Sequence, residues 1–162
     1  MSPPEVWGPP VWSLFHTLAE RMNDNMYHMI APQLFQQIVE ICKYLPCPAC
    51  AKDATHFLGK VKFKDIKNKT EFKNLIYLFH NYVNAKKHKP LFNHANINMY
   101  KHFKLGATIN KFIIAYSTKG NMNLIGESFR RDMVLKNFKQ WLHHHIRAFI
   151  TIRHKEDNKD NK

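Results

Sequence analysis

Cys47 and Cys50 stand three residues apart in the string Leu45-Pro46-Cys47-Pro48-Ala49-Cys50. Thiols at that spacing on one helical turn can close a disulfide that another thiolate opens by exchange. Cys47 falls where a helix would begin, and the free N–H groups and dipole there favour a thiolate. Cys50 lies one turn further in and can face a helical interior. The outer sulfur would then meet a substrate thiolate while the inner one passes electrons to a buried acceptor. Two cysteines alone are spent after one exchange, so turnover needs that acceptor. A flavin takes two electrons and returns them to oxygen, which makes it the obvious organic choice. About thirty residues on comes His80-Asn81-Tyr82-Val83-Asn84, followed by Lys86, Lys89, Pro90 and Phe92. Asn81 and Asn84 are poor residues for a helix interior, and their presence there hints at a task.

Three other readings compete for the cysteine pair. Structural zinc usually takes four ligands, and here one pair is joined only by Cys42 and by His16, His56 and His80 at unusual spacings; no metal site is expected. A thioredoxin-like site would need a strand before Cys47, where the apolar spacing is helical. The pair could also be purely structural. The helix-borne redox pair is the preferred reading.

The elements that must position these groups are helical. Val11, Phe15, Leu18 and Met22 recur at helical spacing behind Pro9-Pro10, which suit a first turn. Leu34, Phe35, Ile38, Val39, Ile41, Cys42 and Leu45 predict a second helix starting near Ala31-Pro32 and ending before Pro46. Cys47, Cys50, Ala54, Phe57 and Leu58 predict a third, with Gly59 at its C-cap. Thr70 offers an N-cap for a fourth, whose stripe is Phe72, Leu75, Ile76, Phe79 and Val83. Four helices with short connections read as an all-α four-helix bundle over residues 1–92. Residues 93–162 form a helical C-terminal extension. In it, Ala107 to Tyr116 reads as a short apolar helix, and Gly126 to Lys155 as a long amphipathic one carrying Phe129, Val134, Phe138, Trp141, Ile146, Phe149 and Ile150. The tripeptide His143-His144-His145 reads as a solvated turn rather than a metal site.

The 162 residues carry a formal charge of +13, with 44% hydrophobic and 13% aromatic residues. There is enough apolar material for a core, and no run approaches the ~20 residues of a membrane span. The opening Met1-Ser2-Pro3-Pro4-Glu5-Val6-Trp7 lacks the pattern of a signal peptide, so a cytoplasmic location is expected. Three cysteines do not make a secreted disulfide framework. The charge admits a second class of function, a basic helical binding module for nucleic acid or protein, stabilised by zinc in one version. Without a compact arginine-rich motif, solvated lysine faces are the simpler account and a nucleic-acid partner is not expected.

Three strings together resemble one family. Trp7-Gly8-Pro9-Pro10-Val11-Trp12-Ser13-Leu14-Phe15-His16 is similar to the G-x-x-x-W-x-x-x-H opening helix of the FAD-linked Erv/ALR sulfhydryl oxidases. Leu45 to Cys50 matches their redox CxxC. His80 to Pro90 is similar to their H-N-x-V-N-x-K-x-x-K-P segment. The resemblance is particularly to the compact versions encoded by large cytoplasmic DNA viruses. The resemblance covers roughly residues 5 to 92. It implies FAD at the mouth of a helical bundle, usually in a homodimer. Gly8, Trp12 and His16 would meet the cofactor from the first helix. His80, Asn81, Val83 and Asn84 would line it from the fourth, with Lys86 and Lys89 near its phosphates. Cys50 would lie next to the flavin and Cys47 would take the substrate thiolate, O2 being reduced to H2O2. Relatives of this kind typically feed a thioredoxin-like carrier that oxidises virion proteins in the host cytoplasm.

The departures are informative. Many cellular members carry a second, shuttle cysteine pair, but the one other cysteine here is Cys42, expected as a buried small hydrophobe. Leu75 replaces an aromatic residue five positions before the His-Asn pair. A minimal oxidase that hands disulfides directly to a thiol-containing protein is therefore expected. The extension would cover the bundle or extend a dimer interface.

Overall fold

The computed structural model describes residues 3–117 and 125–150. Every regular element among them is helical: α1 (Pro4–Arg21), α2 (Tyr27–Lys43), α3 (Pro48–Gly59), α4 (Lys69–Lys86), a 3-10 stretch (His94–His102), α5 (Leu105–Tyr116) and α6 (Ile125–His145). Helices α1 to α4 form the bundle, α5 packs along α1, and α6 packs along α2. Among the described residues no helix is long and apolar enough to cross a membrane.

The bundle helices bury most of the stripe that their sequence spacing requires. Leu14, Phe15 and Leu18 of α1, Leu34 and Ile38 of α2, and Phe72, Ile76 and Phe79 of α4 are all shut away from solvent. Phe112 and Tyr116 of α5 and Phe138 of α6 join the same cluster. Polar anchors fix the later elements. Tyr116 donates its hydroxyl to the Ile41 carbonyl at 2.8 Å, and Arg21 donates to the Phe103 carbonyl at 2.6 Å. Trp141 donates its indole N–H to Gln33 at 3.0 Å, and the Asn23 amide meets the Ala148 carbonyl at 2.7 Å.

Several element boundaries differ from expectation. Helix α1 begins at Pro4, so Pro9 and Pro10 lie in its second turn rather than its first. Helix α2 begins at Tyr27, one turn before Pro32, because a 3-10 turn over Asp24–Met26 capped by Asn23 leads straight into it. Helix α4 is capped by Asn68, whose side chain accepts the Glu71 amide at 2.9 Å, rather than by Thr70. Gly59 is the last residue of α3 and has no positive φ, so it does not serve as a left-handed cap. Helix α6 ends at His145 in a 3-10 turn, and Phe129 and Ile150 are exposed rather than part of its buried stripe. The expected continuation to Lys155 lies outside the described residues. His143 and His144 are exposed on α6, not in a turn.

The C-terminus of α4 closes in a Schellman arrangement. The Lys89 amide bonds the Asn84 carbonyl at 2.8 Å and the His88 amide bonds the Ala85 carbonyl at 3.2 Å. The residue between them, His88, sits at φ 54°, in the left-handed region that costs a side chain about 1–2 kcal/mol. Replacing it with glycine removes that strain. His88→Gly should raise unfolding stability by roughly 0.5–1 kcal/mol in urea titration, with an unchanged m-value.

Candidate functional site

Leu45 and Pro46 are buried and set the chain extended into Cys47, the N-cap of α3 at φ −132° and ψ 112°. Pro48 then occupies the first helical position, where its missing N–H is no loss. Cys47 and Cys50 are joined in a disulfide with Cα atoms 5.2 Å apart. The Cys50 amide donates to Cys47 Sγ at 3.2 Å, so the outer sulfur already receives one of the helix's free N–H groups. The two sulfurs face different surroundings. Cys47 is partly exposed, whereas Cys50 is buried and forms part of the wall of a cavity of about 340 Å³.

That cavity lies between α1, α3 and the end of α4, and its volume is in the range of small-molecule sites. Gly8, Trp12, Cys50, His80, Val83, Asn84 and Lys89 all line it. Trp12 and His80 stack face to face at 4.2 Å, with planes 10° apart. His16 stands behind them, its Nε2 hydrogen-bonded to His80 Nδ1 at 2.9 Å. The remaining expected residues lie outside the lining. Asn81 clasps the returning chain, donating to the Phe92 carbonyl at 3.1 Å and accepting the Phe92 amide at 2.7 Å. This lays the Phe92 ring over His80 at 4.9 Å. Lys86 is exposed and extends over the Tyr82 ring at 5.8 Å.

Other site residues had no sequence signal of comparable strength. Tyr100, from the 3-10 stretch, stacks on His16 at 4.5 Å and lines the cavity. Lys87 also lines it, with Nζ 3.1 Å from Cys50 Sγ. Trp7 is part of the same wall, and its buried indole N–H has no acceptor among the described residues. Only that tryptophan could have been suspected, from its place at the head of the first motif. Cys42 is buried against the cavity with no disulfide partner, and burial pushes its thiol well above the ordinary range.

The wall suits a flat, partly polar cofactor. A methyl group built on Gly8 would meet nothing within 4 Å, so a ring can approach the backbone there. Trp7 offers an unused donor, Trp12 and His80 an aromatic face, and Lys89 a cation at the mouth, 3.7 Å from Glu5.

A model of the Erv1/Alr family matches residues 9–104, a stretch that contains the paired cysteines and both halves of the aromatic wall. The chain belongs to the Erv1/Alr family. Among its relatives is a protein of Invertebrate iridescent virus 3 named as a FAD-linked sulfhydryl oxidase, 28% identical over 88 residues. That match covers 54% of this chain and 60% of the relative, so the chain spans less than two thirds of that protein's length. A protein of Invertebrate iridescent virus 6 with the same kind of name is 28% identical over 54% of this chain and 85% of its own. The FAD-linked sulfhydryl oxidase of African swine fever virus is 28% identical over 52% of this chain and 71% of its own. No solved structure matches the chain.

The electrostatics of this Erv1/Alr site are set by burial. His16 is lowered to about 3, first by burial and then by the neighbouring His80, and His80 is lowered to about 4 by burial. Both rings are neutral near pH 7, one donating the proton they share. For such depressed histidines the stabilising contribution is complete above 6.5, the ordinary histidine value. It falls as pH drops from there toward about 4 and 3. Unfolding free energy should therefore decrease steadily from pH 6.5 to pH 4, by about 1.4 kcal/mol per unit for each histidine that the unfolded chain protonates alone. In His16→Asn, which keeps a polar group but does not titrate, denaturant titration at successive pH values should show a shallower slope.

Proposed function

We propose that this chain is a FAD-dependent sulfhydryl oxidase that makes disulfides in partner proteins through Cys47 and Cys50. The observation that carries this reading is the two-faced disulfide: one sulfur at the surface on a helix N-terminus, the other in the wall of an aromatic cavity. Family membership and the names of the viral relatives support it. The chemistry that bound FAD supplies is two-electron acceptance from a dithiol and delivery to O2 as H2O2. Gly8, Trp7, Trp12, His80, Val83 and Asn84 would hold it, with Lys89 toward its phosphates and Asn81 acting through the clasp on Phe92.

The protein's own part is thiol exchange. A substrate thiolate attacks Cys47 Sγ, a mixed disulfide forms there, and the electron pair of the broken S–S bond leaves on Cys50 Sγ. The Cys50 N–H that now points at Cys47 stabilises that sulfur whenever it is the anion. A second substrate thiolate resolves the mixed disulfide and leaves both site sulfurs reduced. Buried, neutral His16 and His80 brace Trp12 without placing a charge against the cavity.

The substrate would be a thiol-containing protein, with a thioredoxin-like carrier as the first choice, and the working unit a homodimer. Cytoplasmic action and a part in virion assembly belong to the same proposal. Residues 1–92 would carry the redox pair and residues 93–162 would be an extension whose α5 and α6 cover the bundle.

Purified protein should show visible flavin bands that bleach with dithiothreitol and recover as oxygen is consumed. Cys47→Ala and Cys50→Ala should abolish dithiothreitol-dependent oxygen uptake while retaining the flavin. Trp12→Ala and Gly8→Val should instead lower flavin content. A colourless protein that stays inactive after refolding with FAD would overturn the reading.

A further inference from the structure

Lys87 sits at the C-cap of α4, one residue beyond the helix and one before the left-handed turn at His88. Its backbone N–H is bonded to the Val83 and Asn84 carbonyls at 3.1 and 3.2 Å, which fixes the start of the side chain. The stem then runs across the Trp7 ring, with Nζ 5.7 Å from the ring centroid. It ends 3.1 Å from Cys50 Sγ. An ammonium is a poor match for a neutral disulfide sulfur, which is a weak acceptor. It is a good match for a thiolate, and Cys50 is the sulfur on which the electron pair arrives when the disulfide opens.

We propose that Lys87 is the cation that stabilises the Cys50 thiolate, so that the exchange at Cys47 expels a paired anion instead of a bare one. The inference deepens the oxidase reading and rests on the assignment of Cys47–Cys50 as its redox pair. In the balanced step, the substrate thiolate forms a bond to Cys47 Sγ, the Cys47–Cys50 bond breaks, and the pair of electrons stays on Cys50 Sγ. No proton need move, because the Lys87 ammonium is already within contact distance. A thiolate left without a counterion in the cavity wall would be raised by burial and would return to Cys47, expelling the substrate. Lys87 thus biases the mixed disulfide toward completion.

The surroundings leave that role to Lys87. Glu5 from α1 and Asp53 from α3 are the acids near it, and Lys89 is the other cation. Burial, followed by Lys89, lowers the Lys87 ammonium from its ordinary value, and Glu5 and Asp53 oppose this. Arrival of a thiolate would favour the charged amine further. The other titratable groups in the cavity wall, His80, Cys42 and Tyr100, are all held neutral by burial. Glu5 is engaged with Lys89 at 3.7 Å. Lys86 points away, over Tyr82.

The test isolates the Cys50 sulfur in the full-length, reduced protein under exclusion of air. Cys47→Ser keeps an oxygen acceptor at the N-cap, so the start of α3 is retained. In that background the rate of Cys50 alkylation by iodoacetamide is followed by mass spectrometry as a function of pH. Lys87→Met should move the midpoint upward by about one pH unit or more, the shift expected when an opposite charge is removed from contact. Lys87→Arg should restore most of it. Lys87→Gln serves as a second neutral variant, and helical circular dichroism checks that each is folded. An unchanged midpoint in both neutral variants overturns the proposal. So does a loss of flavin from them without any change in midpoint, which would assign Lys87 to holding the cofactor. The readout requires no oxygen consumption, so failure of the oxidase reading is scored separately by the absorption and oxygen-uptake experiments.

Discussion

His16 on α1 and His80 on α4 meet through one hydrogen bond of 2.9 Å, and burial denies both rings a charge. This bond ties the first helix to the fourth at the depth of the cavity. It exists only while one nitrogen donates and the other accepts, so two protonated rings would break it. The neighbours are layered upon it. Trp12 covers one side of His80, Phe92 stacks at 4.9 Å from it, and Tyr100 lies on His16 with planes 6° apart. Aromatic pairs of this kind contribute about 0.5–1.5 kcal/mol each beyond their buried area. The layering therefore holds α1, α4 and the 3-10 stretch together as one wall rather than as three separately placed elements.

The disulfide stands at the edge of that wall and inherits its geometry. Buried Leu45 and Pro46 anchor the approach to α3, and the N-cap position turns Cys47 outward while Cys50 points in. The end of α4 returns over the same place through the turn at His88. A helix start and a helix end thus face each other across the inner sulfur. Their partial charges are of opposite sign, positive at the start of α3 and negative at the end of α4. The lysines at the end of α4 offset the latter. The nearest of them, Lys87, places its ammonium 3.1 Å from Cys50 Sγ.

Much of this was legible in the residues. Trp12 and His16, and likewise His80 and Asn84, are four apart, so helical periodicity alone places each pair on one face. The cysteine spacing allowed the disulfide that the structure closes. Helical fold class followed from apolar stripes that proved largely buried, Phe129 and Ile150 excepted. The failures have local causes. Thr70 looked like a cap, but the pattern Asn68-Lys69-Thr70-Glu71 places the better acceptor two residues earlier and an acid at the third position. Lys86 lies over Tyr82 while Lys87 lines the cavity, an arrangement that a linear motif does not encode because it does not fix the rotation at a helix end. One step round the last turn exchanges solvent for the cavity. Tyr100 was beyond reach of any local pattern: it arrives through the Asn81–Phe92 clasp, a contact set by tertiary structure.

Three cysteines can pair in three ways, and the fold leaves one of them. Cys42 sits within the same apolar cluster as Cys50, reduced and buried in the cavity wall, with a thiol that burial keeps protonated. In an extended nascent chain it has no such shelter, being only five residues from Cys47. Closure of α2 against the bundle is thus also an act of sorting. It holds the third thiol protonated in the apolar cluster and leaves Cys47 and Cys50 to pair with each other.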